Sequence, residues 1–121
     1  DNEFDAVLCA QVLEHLPYED FGQALSEITR VSKIGAIISL PHFGPAIRFL
    51  FKLPFFPEIK FMIKLPYPKV HKFKDEHYWE IGKRSYSLKK IKKEIMKSGL
   101  AIEKDYIVFE NPLHHFFILK K

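Results

Sequence analysis

The sequence is poor in the residue types that usually announce a site. Its single cysteine, Cys9, excludes a disulfide framework and any CxxC-type zinc or redox centre. Its five glycines, Gly22, Gly35, Gly44, Gly82 and Gly99, are too scattered for any two to form a cradle for a phosphate or a cofactor. The first residues do not read as a basic-then-apolar leader. The longest charge-free run, residues 34–47, is shorter than a spanning helix and is interrupted by Gly35, Pro41, Gly44 and Pro45. These features predict a soluble, cytoplasmic chain. Arginine is scarce (Arg30, Arg48 and Arg84) and no RNA-binding motif is present, so nucleic acid is not an expected partner.

What is present is enough apolar material for a core. Hydrophobic residues make up 47% of the 121 positions and charged residues 28%, which suits one domain or a part of one. The net charge of +4 hides an asymmetry. Residues 1–42 carry seven acids against Arg30 and Lys33, whereas residues 43–104 carry fifteen Lys and Arg against six acids. A basic second half suits an anionic substrate or a lipid headgroup surface, although a solvated Lys-rich helix would give the same count.

The chain opens with Phe4-Asp5-Ala6-Val7-Leu8-Cys9-Ala10, a short apolar run that predicts a buried strand. Pro17 is placed to start a helix, and from Glu19 to Lys33 the residues Phe21, Ala24, Leu25, Ile28 and Val31 recur at helical spacing. Gly35 is expected to break that helix before a second buried strand, Ala36 to Leu40, which Pro41 stops. Strand, helix and strand with short links predict a parallel βαβ unit. Ser87 is a candidate N-cap for a helix with Leu88, Ile91 and Ile95 on its apolar face, ending at Gly99. Two β-rich segments, Ala101 to Phe109 and Leu113 to Leu119, then predict an antiparallel hairpin.

Residues 43–74 are different. They hold five of the eight prolines, eight Phe or Tyr and seven Lys or Arg. Repeated prolines predict short helical turns and extended pieces, and the apolar content marks an insert, lid or arm rather than a linker. As a lid it would surround an apolar acceptor and hold its anionic groups. As an arm it would lie in a headgroup layer.

The segment from Asp1 to Pro17, with its Phe4-Asp5 start, apolar strand and Val12-Leu13-Glu14-His15-Leu16, resembles the central motif of class I S-adenosylmethionine-dependent methyltransferases of the type 11 kind. Glu27, Arg30, Val31, Lys33 and Gly35 follow in the family's spacing. The resemblance implies an α/β fold, a partial Rossmann-like methyltransferase sheet of the family's strands 4, 5, 7 and 6 with a terminal antiparallel hairpin. It would cover nearly all of the chain outside the 43–74 insert, making residues 1–121 the C-terminal half of such a domain without its Gly-rich cofactor turn. It also implies S-adenosylmethionine as cofactor and methyl transfer to a small or lipid-linked acceptor. The alternative is a non-catalytic half-domain that oligomerises, binds, or lies on a membrane surface. With no strand 1 beside it, Phe4 to Ala10 would be an apolar sheet edge, so a homo-oligomer is expected.

By that likeness Cys9, Ala10 and Gln11 would line the methionine end of the cofactor. His15, after the first strand, and His42, after the second, are the candidate catalytic bases. His77, Tyr78 and Trp79 are expected to wall the substrate pocket. No metal site is expected: the run from His71 through His77 to Glu80 matches no familiar ligand spacing, and a third ligand would have to come from elsewhere. His114 and His115 point to opposite faces of a strand and are expected to be structural.

Overall fold

The computed structural model describes residues 1–121. Two sheets and two helices follow in the order β1 (Phe4–Ala10), α1 (Tyr18–Val31), β2 (Ser32–Pro41), β3 (Ala46–Phe51), β4 (Ile59–Lys64), α2 (Leu88–Lys97), β5 (Ala101–Ile107) and β6 (His114–Lys120). A single 3-10 turn, Leu13–His15, lies between β1 and α1. The main sheet has the order β1-β2-β6-β5, and β3 and β4 form a separate two-stranded sheet. β1 and β2 are parallel, while β2–β6 and β6–β5 are antiparallel. The result is an α/β structure whose mixed sheet ends in the expected hairpin, in the strand order that the sequence implied. No helix is long and apolar enough to cross a membrane.

The core lies on one face of this sheet. Ala36, Ile38 and Leu40 of β2 and Phe117 and Leu119 of β6 point to it, in register as Ala36–Leu119 and Ile38–Phe117. Phe21 and Leu25 of α1 and Ile91 and Ile95 of α2 close over them from above. Both helices are therefore amphipathic for one reason, a shared apolar layer. α1 starts behind Pro17 with Glu19 and Asp20 in its first turn, where the helix dipole favours acids. α2 starts at Ser87, whose hydroxyl accepts from the Lys90 amide at 3.2 Å, and ends before Gly99 at φ +93°. The opposite face of the sheet carries Leu8 and Ile37 with no helix over it; Leu8 is 72% exposed.

Three expectations are corrected. β1 is a strand but not a buried one: Phe4 and Leu8 are 53% and 72% exposed, because β1 is an edge strand with nothing over its far face. Gly35 does not break α1: the helix stops at Val31, and β2 begins at Ser32 and runs through Lys33, Ile34 and Gly35. Gly35 is instead a close-approach residue, because a Cβ there would lie 2.0 Å from the Leu119 carbonyl oxygen of β6. The insert contains no helical turn. Its prolines flank strands rather than interrupt them, with Pro45 before β3, Pro54 and Pro57 in the loop, and Pro66 and Pro68 after β4. The hairpin register pairs Ile47 with Ile63, Phe49 with Phe61 and Phe51 with Ile59. All six side chains share one face, and all are exposed. The other face is tied down by Arg48 to the Phe109 carbonyl and by Lys64 to the carbonyls of His42 and Pro112.

Candidate functional site

The parallel strands β1 and β2 end side by side, at Ala10 and Pro41. Open α/β sheets place their sites beyond such carboxyl ends. Here a strap of residues 77–82 crosses both. Its Tyr78 amide donates to the Glu14 carbonyl at 2.9 Å, its Ile81 amide to the Pro41 carbonyl at 3.0 Å, and the Phe43 amide returns to the Ile81 carbonyl at 2.7 Å. Gly82 is needed at that crossing, since a Cβ would come within 2.6 Å of the Phe43 carbonyl oxygen and φ is +89°.

At the end of β1, Cys9 is half-buried and Ala10 exposed. Gln11 turns the chain with φ +52°, an uncommon conformation for a residue other than glycine, and its amide donates to Ser39 Oγ at 3.2 Å. Burial, with the Glu14 carboxylate second, pushes the Cys9 thiol above its ordinary range, so it stays protonated and is no nucleophile.

His42 follows β2 directly and is buried. Its Nδ1 lies 2.9 Å from Nδ1 of His115, and Nε2 of His115 lies 2.7 Å from Asp105 Oδ2. The carboxylate can only accept, so His115 donates from Nε2. Its Nδ1 then accepts from His42 Nδ1–H, and the free lone pair of His42 is left on Nε2. Burial is the main reason that the His42 pKa falls to about 4, with His115 and Lys64 adding to it. Burial also lowers His115, against the pull of Asp105. Burial pushes Asp105 up, but hydrogen bonds from Lys92 (2.7 Å) and His115 outweigh it and hold the carboxyl below its usual range. His42 is thus neutral at pH 7, oriented by the buried His115, which the half-buried Asp105 holds in turn. It forms part of the wall of a cleft of about 960 Å³ whose lining includes Lys64, Tyr67, Lys83, Arg84 and Lys90. Four cations and a neutral imidazole give the cleft a positive potential beside the apolar surface of Leu65, Pro66, Tyr67 and Leu88.

The remaining candidates separate. His15 lies on the turn after β1, against Nε2 of His77 and the Glu14 carboxylate rather than in the cleft. His77 joins it there, with Nδ1 at 3.1 Å from Glu80 Oε1. Tyr78 is exposed and packs edge-on against Phe73. Trp79, expected in a pocket wall, is fully buried between Tyr18, Phe21 and Tyr86 and is a core residue. The strap turns this tryptophan inward, where its ring packs against three aromatic neighbours. His115 and Asp105 are the partners that sequence reasoning missed. The available signal was strand alternation, which puts His115 on the buried stripe with Phe117 and Leu119.

Residues 1–40 match a family described as methyltransferase domain. The match covers β1, α1 and nearly all of β2 at the N-terminal end of this chain. The wider resemblance, through α2 and the β5–β6 hairpin, lies outside it. No curated protein matches the chain. The apolar strand, the Leu13-Glu14-His15 turn and the helix behind it all lie within this match, so over residues 1–40 the chain is similar to a methyltransferase domain.

Proposed function

We propose that this chain supplies the acceptor-binding side of a Rossmann-like methyltransferase, which transfers a methyl group from S-adenosylmethionine to a small or lipid-linked acceptor bearing an anionic group. The observation that carries this reading is the methyltransferase match over the β1–α1–β2 unit, whose second strand leads directly into His42 and Phe43 of the cationic cleft. The residues present fit one wall of a cofactor site. By the family likeness the chain at Cys9, Ala10 and Gln11, at the end of β1, would face the cofactor's ammonium group, whereas the scattered glycines supply no cradle. The cofactor would bring a methyl group on a sulfonium, ready for in-line displacement. His42 Nε2 would take the acceptor's proton, held in its tautomer by His115 and Asp105. Lys64, Lys83 and Arg84 would orient the acceptor through its charge. We place the protein in the cytoplasm, peripheral to a membrane. Calorimetric titration with S-adenosylhomocysteine tests the cofactor half of this reading. Micromolar binding is expected, and its absence would leave only the binding half-domain.

A second reading rests on the β3–β4 hairpin. Its exposed face of Ile47, Phe49, Phe51, Ile59, Phe61 and Ile63 continues at the loop into Phe55 and Phe56. Seven basic residues accompany residues 43–74, and Glu58 is the one acid. An apolar face with a cationic surround suits an anionic lipid surface. A homo-oligomer, through this face or the open edge of β1, is the competing occupant.

A further inference from the structure

The strap that crosses the sheet also completes a cluster that no local stretch of sequence contains. Glu14 is 0% exposed, and neither carboxylate oxygen has a hydrogen-bond partner. A buried carboxylate without partners is costly, and proteins satisfy such groups with a donor or a cation. The atoms that face it are acceptors. Nε2 of His15 and Nε2 of His77 each lie 3.9 Å from Glu14 Oε1, too far for a hydrogen bond. One ligand atom from each of the three residues lies within 4.8 Å of the others.

The outer nitrogens explain why both Nε2 atoms carry lone pairs. His15 Nδ1 lies 3.0 Å from the Glu76 carbonyl oxygen, which can only accept. His77 Nδ1 lies 3.1 Å from Glu80 Oε1. Each ring therefore donates outward from Nδ1 and turns an unprotonated Nε2 inward, the arrangement that carbonyl and carboxylate partners impose on metal-binding histidines. The His71 ring steadies this part of the strap, with Nε2 2.8 Å from the His77 carbonyl.

We infer that Glu14, His15 and His77 form a binding site for a divalent transition-metal ion, with Zn²⁺ its best-suited occupant. Two imidazole nitrogens and one carboxylate are a common three-ligand set for zinc and leave a fourth position for water or another ligand. They favour a late first-row ion over Mg²⁺ or Ca²⁺, which take oxygen ligands. Bonds of about 2.0–2.1 Å place tetrahedral ligands about 3.3 Å apart. Binding would close each Glu14–His gap by about 0.6 Å and the His15–His77 gap by up to about 1.5 Å, movement that the exposed His15 ring can supply. The cation would also resolve the unpartnered Glu14 carboxylate. This site stands independently of the methyl-transfer reading, since it uses neither the cleft nor the cofactor.

The test is titration of the chelator-treated chain with Zn²⁺ by calorimetry and by competition against a chromophoric chelator. One equivalent is expected to bind with micromolar or tighter affinity. His15→Gln, which changes an exposed side chain and leaves the fold intact, should weaken binding at least 100-fold, as should Glu14→Gln. Glu80→Gln, which frees only the outer nitrogen of His77, should weaken it 10–100-fold. His114→Gln should leave it unchanged. Absence of stoichiometric binding overturns the inference, as does binding that survives His15→Gln.

Discussion

Acidification should unfold this protein through its buried histidine pair, and the size of the effect follows from the structure. His42 has an ordinary pKa of 6.5 and a folded value of about 4, because burial and the facing His115 and Lys64 oppose its protonation. Above pH 6.5 the ring is neutral in both states and contributes no difference. Between pH 6.5 and 4 the unfolded chain binds the proton and the folded chain does not, so stability falls as pH falls. The loss from His42 alone is about 2 kcal/mol by pH 5 and about 3 kcal/mol by pH 4. His115 is shifted in the same direction. Asp105, held below its ordinary 3.8, loses its contribution only at lower pH. Glu14, which burial raises, acts with the opposite sign and stabilises on acidification. The assay is urea unfolding of the native chain and of His42→Gln at pH 7.5, 6, 5 and 4. Glu14, Asp105 and His115 titrate in both proteins, so the difference in their pH slopes isolates His42. A variant whose stability falls as steeply as the native chain's between pH 6.5 and 5 would refute the reasoning.

Two further perturbations address the sheets. Gly35→Ala should destabilise the chain by more than about 3 kcal/mol, because the new methyl meets the Leu119 backbone, which cannot rotate away; a denaturant midpoint close to the native one would show that β2 and β6 can separate. The chain should co-float with phosphatidylserine-containing vesicles, and replacing Phe49 and Phe61 with Ser should reduce that binding at least ten-fold, given about 1.5–3 kcal/mol for each phenyl group withdrawn from water. Failure to bind vesicles, with a concentration-dependent rise in mass, would assign the hairpin face to a second copy of the chain.

Those elements whose cause is local were legible in the sequence. The helical spacing of Phe21, Leu25 and Ile28, the Ser87 cap and the Gly99 stop each rest on contacts within a few residues, and each stands where the pattern put it; the apolar run of β1 placed the strand but not its exposure. The terminal hairpin was legible because β5 and β6 are sequence neighbours, and the motif from Phe4 to Pro17 was legible because it is contiguous. What the sequence could not show was which side of a residue would meet something distant. Gly35 looks like a helix stop until β6 lies against it. The prolines of residues 43–74 look like breaks until the strands between them pair. Trp79 looks like a pocket wall until α1 closes over it. The site was decided in the same way. His42 acquired its hydrogen-bonded orientation only when β6 brought His115 to it across 73 positions, and Glu14 met His77 only because the strap crosses the end of β1. Local propensity is set by backbone sterics and spacing, which a sequence states outright. Burial and charge environment depend on the summed packing of remote segments, and those are settled only when the chain folds.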